Sequence, residues 1–107
     1  MQLLSVTELK SWVDENKDDF VLVDVRESDE LDICKIDFAQ HIPLGQIPDS
    51  YENLPADKKV IFSCKSGRRS ANAAQYVESL SGRSDLYSLD GGILEWIEKV
   101  DPTQSTY

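Results

Sequence analysis

Apolar runs alternate along this chain with segments whose apolar residues recur every three or four positions. Ser5-Val6-Thr7-Glu8 has the form of a capping box, a hydroxyl at a helix entrance with a carboxylate three residues on. Leu9, Trp12 and Val13 follow at helical spacing, which predicts a first helix from about Val6 to Glu15. Phe20-Val21-Leu22-Val23-Asp24-Val25 is a nearly unbroken run rich in valine, as in a strand covered on both faces of a parallel sheet. Glu27 to Lys35 predicts a short helix. Pro43, Gly45 and Pro48 mark turns, with one helical turn before Leu54-Pro55. Lys59-Val60-Ile61-Phe62-Ser63 reads as a second buried strand. A helix is then expected from Ser70, with Ala73, Tyr76, Val77 and Leu80 on one face and Gly82 at its C-terminal end. Leu86-Tyr87-Ser88-Leu89 reads as a third strand. Asp90-Gly91-Gly92 turns the chain into a last amphipathic helix bearing Ile93, Trp96, Ile97 and Val100. Trp12 and Trp96 fall on helix faces and are expected in the core. The alternation predicts one α/β domain over residues 1–107, a mainly parallel central sheet flanked by helices.

Composition narrows the function classes. A length of 107 residues favours one domain and can bury a core without staples. No run approaches the roughly 18 apolar residues of a membrane span. Met1 to Trp12 has neither a basic leader nor a long apolar stretch, so no secretory signal is expected. The net charge of −9 argues against nucleic acid and anionic membranes as partners. Two cysteines, Cys34 and Cys64, are too few for a disulfide scaffold and lack zinc-ligand spacing, so reduced thiols in the cytoplasm are expected.

The charge is unevenly placed. Residues 1–40 hold 11 acids and 4 bases, whereas Lys65, Arg68 and Arg69 fall within five positions. This basic knot follows a predicted strand and precedes a predicted helix, in Cys64-Lys65-Ser66-Gly67-Arg68-Arg69-Ser70. In parallel α/β sheets, ligands bind beyond the carboxyl ends of the strands, where Cys64 stands. Unpaired N–H groups at a helix start favour negative charge, and a glycine lets successive N–H groups curl into an anion nest. Three cations add to this. Each effect favours thiolate over thiol, the form a nucleophilic cysteine needs, and would equally favour a persulfide or an oxyanion. Cys34, among Leu31, Ile33 and Ile36, reads instead as a small core residue; a sulfur-relay thiol is the sharper alternative. Asp24 ends a buried strand and needs a partner, for which Arg26, Arg68 or a loop N–H are candidates.

Four pieces together resemble rhodanese-like domains over nearly the whole chain. They are Asp24-Val25-Arg26-Glu27, His41-Ile42-Pro43-Leu44-Gly45, Cys64 through Ser70, and Gly91-Gly92-Ile93-Leu94-Glu95-Trp96. Glu30 to Ile36 and the ending Asp101 to Tyr107 are most similar to the rhodanese domain of adenylating sulfur-transfer proteins of molybdopterin and thiamine synthesis. The resemblance implies a sulfurtransferase in which Cys64 carries sulfur as a persulfide. Lys65, Ser66, Gly67, Arg68, Arg69 and Ser70 would bind the substrate, with Asp24 and Arg26 as support. It implies a small anionic sulfur donor such as thiosulfate, or a cysteine desulfurase, with a sulfur-carrier protein or adenylating enzyme as partner. No metal or organic cofactor is required.

Two rivals differ in class. Cysteine phosphatases and arsenate reductases also set a thiolate in an anion-cradling loop, but their spacing is C-x5-R. Here Cys64 to Arg69 is C-x4-R, with Ser70 where the longer signature needs arginine. A shorter loop has less room for a tetrahedral phosphate. A non-catalytic binding module would have no need of the cysteine, glycine and cations together. His41 is a candidate base only if the fold brings it to Cys64.

Overall fold

The computed structural model describes residues 1–107. Twelve elements follow one another: β1 (Gln2–Leu4), α1 (Val6–Asp14), β2 (Phe20–Asp24), α2 (Ser28–Leu31), β3 (Gln40–His41), a 3-10 turn at Leu44–Gln46, α3 (Ile47–Ser50), a second 3-10 turn at Tyr51–Asn53, β4 (Lys59–Ser63), α4 (Arg68–Ser81), β5 (Leu86–Leu89) and α5 (Gly92–Lys99). The five strands form one sheet in the order β1-β5-β4-β2-β3, and every pairing is parallel. The predicted α/β architecture is therefore present. No helix is long and apolar enough to cross a membrane.

The two-residue period of the strands sorts the core into two layers. Val23, Val60 and Phe62 point to one face, where they pack with Ile47 of α3 and Ala73, Ala74 and Val77 of α4. Leu22 and Ile61 point to the other, against Leu9 of α1 and Ile93, Trp96 and Ile97 of α5. Both faces of β2 and β4 are covered, which is why their sequences run apolar without a gap.

Several boundaries differ from the sequence expectation. In α1, Ser5 Oγ accepts the Glu8 N–H at 3.1 Å, which is the first half of the capping box. β1 and β3 were not expected. At three and two residues they are too short to show a period, and their pairing with β5 and β2 defines them. The helix expected over Glu27–Lys35 closes after Leu31, and a succession of short helical turns replaces the single one before Leu54. α4 starts at Arg68, two residues early. Its buried face is Ser70, Ala73, Ala74 and Val77, whereas Tyr76 and Leu80 lie exposed at its flank. The stripe is thus turned toward the small residues, which let α4 lie close to the sheet.

Candidate active site

Cys64 directly follows β4 and sits at the floor of the loop that leads into α4, only 1% exposed. Gly67 caps α4 with φ of 105°, a left-handed conformation that side chains other than glycine rarely adopt. That turn swings the backbone over the sulfur. The Gly67 N–H donates to Cys64 Sγ at 3.1 Å and the Ser70 N–H at 3.3 Å. The nest expected from the sequence is thus formed by the first amides of the helix. The Cys64 thiol lies 3.5 Å from Ser70 Oγ. Ser70 Oγ bonds the Gly67 carbonyl at 3.1 Å and lies 2.7 Å from Ser88 Oγ. Ser88 is completely buried on β5. Its hydroxyl steadies the loop, a role the sequence signals only as a polar residue inside an apolar strand.

The loop is also gripped from its outer side. The N–H groups of Ile93 and Leu94 donate to the carbonyls of Cys64 (2.9 Å) and Lys65 (3.2 Å). These first-turn amides of α5 hold the loop backbone.

The three loop cations have different surroundings. Arg69 makes a fork with Glu30, 2.8 Å to each carboxylate oxygen. Lys65 Nζ stands 4.5 Å from the centre of the Tyr107 ring. Arg68 is exposed and makes no ion pair, and Ser66 is exposed beside it. The Arg69 fork holds the Glu30 carboxyl down at about 2, although burial pushes the other way, and Glu30 raises the Arg69 guanidinium in return.

That pairing makes the fold sensitive to acid. A carboxylate whose pKa is lowered on folding stabilises the protein fully above its unfolded value, here 4.5, and the contribution fades as pH falls towards 2. Allowing for its partial solvation, we expect Glu30→Gln to cost about 1–2 kcal/mol at neutral pH. The variant's loss relative to wild type should shrink between pH 4.5 and 2, as urea denaturation across that range would reveal. A constant difference down to pH 2 would rule the account out.

Asp24 and Arg26 form a buried unit next to the loop. Asp24 is 2% exposed and Arg26 0%. Asp24 lies in register with Ser63, the residue before Cys64. Of the partners considered from the sequence, Arg26 is the one found. Its Nε and one terminal nitrogen grip the Asp24 carboxylate at 3.0 and 2.8 Å. The same guanidinium donates to the carbonyls of Cys34 (2.9 Å) and Glu30 (3.2 Å) and to Tyr107 Oη (3.1 Å). Burial opposes its charge, but Asp24 and Tyr107 outweigh this and raise its pKa. Cys34 is buried, its Sγ 3.8 Å from Arg26, in the layer beneath α1 and α5. Cys64 belongs to the opposite layer. His41 Nε2 donates to the Arg26 carbonyl at 2.7 Å, so the imidazole braces that backbone and forms no pair with Cys64. Glu30 and Tyr107 carry no chemical role in the sequence reading. They join the site through contacts 39 and 81 residues apart along the chain, which no local pattern signals.

Comparison with known proteins agrees with this geometry. The family model for the rhodanese-like domain matches residues 5–99. MoeZ of Mycobacterium tuberculosis, named as an adenylyltransferase/sulfurtransferase, is 38% identical over 102 residues; these span 94% of this chain but only 26% of MoeZ. YtwF of Bacillus subtilis, named as a sulfurtransferase, is 33% identical over 92% of this chain and 93% of its own. A rhodanese-related protein from Thermoplasma volcanium superimposes with a TM-score of 0.81 at 27% identity, covering 94% of each chain. With its matched family model, its parallel sheet and its cysteine loop at the end of β4, the chain belongs to the rhodanese-like domain family.

Proposed function

We propose that the chain is a sulfurtransferase that carries sulfane sulfur as a persulfide on Cys64, working in the cytoplasm. The observation that carries this reading is the pair of N–H groups, from Gly67 and Ser70, that converge on Cys64 Sγ. Both can remain on the inner sulfur, while Lys65 and Arg68, the loop cations with no ion pair, are left to meet the charge of an outer one. In the first half-reaction the Cys64 thiolate attacks the outer sulfur of thiosulfate. The S–S bond of the donor breaks and sulfite leaves with its electron pair, giving Cys64–S–S⁻. In the second, a nucleophile such as cyanide takes the outer sulfur as thiocyanate and the thiolate is restored. Lys65, Ser66, Gly67, Arg68, Arg69 and Ser70 are the proposed substrate-binding loop, with Asp24 and Arg26 fixing the strand end beneath it.

The names of relatives favour a protein partner as well. MoeZ joins an adenylyltransferase to a sulfurtransferase in its name, and this chain matches about a quarter of it. A sulfur-carrier protein with an activated carboxylate, or a separate adenylating enzyme, is accordingly the partner class we propose. A phosphatase reading is less well supported. The arginine that ends the C-x4-R spacing is committed to Glu30.

The decisive measurement is intact mass after incubation of the reduced protein with thiosulfate. We expect a gain of one sulfur atom that cyanide removes as thiocyanate, retained in Cys34→Ser and absent in Cys64→Ser. Initial rates should follow ping-pong kinetics. If Cys64 gains no sulfur from thiosulfate or from a protein persulfide, yet the protein hydrolyses an aryl phosphate, the assignment fails.

A further inference from the structure

The last residue of the chain lies against the loop that holds Cys64. Tyr107 Oη donates to Glu30 Oε1 at 2.8 Å and accepts from the Arg26 guanidinium at 3.1 Å. Burial is the main cause that lifts the phenol above its ordinary pKa, so it keeps the proton it donates. The segment leading to it is fastened too. The Gln104 side chain accepts the Lys35 N–H and donates to the Lys35 carbonyl, both at 2.8 Å. The hydroxyl thus holds the ring, Gln104 holds the segment that carries it, and the ring's face meets the ammonium of Lys65, the residue after the nucleophile.

We propose that Tyr107 is a positioning residue for the Cys64 loop, its ring holding the Lys65 ammonium as a fixed charge beside the site and its hydroxyl fixing the ring between Glu30 and Arg26. A lysine otherwise loses its place readily, because four rotatable bonds let its charge wander in water. Resting on an aromatic face confines it. Arg69 is already committed to Glu30. Lys65 and Arg68 are thus the cations left to meet an incoming anion, and Tyr107 governs where the first of them stands. This rests on the reading of Cys64 as the nucleophile, but its test needs no sulfur transfer.

The readout is alkylation of Cys64, followed by peptide mass, with anionic iodoacetate and neutral iodoacetamide. The ratio of the two rates reports the local positive field, and a general loosening of the fold moves both rates together. In Tyr107→Ala the ratio should fall about threefold, the scale of one partly exposed cation–π contact. Tyr107→Phe keeps the ring and should retain most of the preference. Lys65→Met should lower the ratio by a similar factor, and adding Tyr107→Ala to it should lower it no further. Tyr107→Leu repeats the measurement should the alanine variant fail to fold. An unchanged or higher ratio in Tyr107→Ala or Tyr107→Leu, equal loss in the phenylalanine variant, or independent effects in the double variant would each overturn the proposal. If the ratios behave as expected while thiosulfate leaves no sulfur on Cys64, the donor assignment fails and the positioning role stands.

Discussion

Replacing Arg26 with leucine is expected to destabilise the protein by about 3–5 kcal/mol, the usual cost of removing one partner from a buried ion pair. For a domain of this size that is a fall in Tm of about 15–25 °C. The size follows from what is left behind. Asp24 is 2% exposed, and Arg26 supplies three side-chain hydrogen bonds to its carboxylate. Without them a carboxylate stays buried with only the Arg26 backbone N–H as donor. The carbonyls of Glu30 and Cys34 also lose their contacts with the guanidinium, so the segment from α2 to Cys34 is freed. The same logic predicts partial rescue. Asp24→Leu combined with Arg26→Leu removes both charges and should recover more than half of the loss, because an apolar pair of fitting volume leaves nothing unpaired. Urea denaturation of the two single variants and the double variant measures this. If the double variant is no more stable than Arg26→Leu alone, uncompensated burial of Asp24 is not the cause.

The same ion pair marks what could be read from the sequence. Asp24 at the end of an apolar strand demands a partner, and Arg26 is close enough in the chain to be named as one. β2 and β4 were legible because sheet burial on both faces leaves an apolar run. The end of α4 was legible because a glycine commonly terminates a helix, as Gly82 does here. Its start was not, since the first turn, Arg68 and Arg69, carries no apolar residue to set a phase. Tyr76 and Leu80 lie at its flank and not on its buried face, because periodicity finds a stripe but not its centre. The sheet chose the side where Ser70, Ala73 and Ala74 allow close approach. β1 and β3 exist through pairing partners distant in sequence, which a local pattern cannot express.

In the candidate site the split falls between backbone and side chains. The nest around Cys64 depends on a strand end, a glycine and a helix start within a few residues, and all three are visible in the sequence. Where the cations rest depends on Glu30 and Tyr107, one far before the loop in the chain and the other far after it. A count of three positive charges therefore overstates the field offered to a ligand, because Arg69 already has an anionic partner. The direction of the α5 amides was equally hidden. Asp90-Gly91-Gly92 reads as a turn into a helix, and nothing in it signals that the amides after it hold loop carbonyls.

Those amides set the second large prediction. In Gly92→Ala the new methyl would stand 2.6 Å from the Cys64 carbonyl oxygen and 2.5 Å from that of Lys65, in a residue with φ of 61°. Both obstacles are backbone and cannot rotate aside. They are also the carbonyls that receive the Ile93 and Leu94 N–H groups, so relief of the clash must pull the loop off α5. Left-handed strain and overpacking together are expected to cost about 3 kcal/mol. Function should suffer more than stability. Displacing a nucleophile by about 1 Å can cost on the order of a hundredfold in rate, so sulfur uptake from thiosulfate by the folded variant should fall by that order. Gly45→Ala is the matched control. Nothing lies within 4 Å of its new methyl, so its Tm and uptake rate should stay close to wild type. A Gly92→Ala protein with wild-type Tm and sulfur uptake within twofold would show that the loop does not depend on the close approach of α5. The position of Cys64 Sγ would then rest on the Gly67 and Ser70 amides alone.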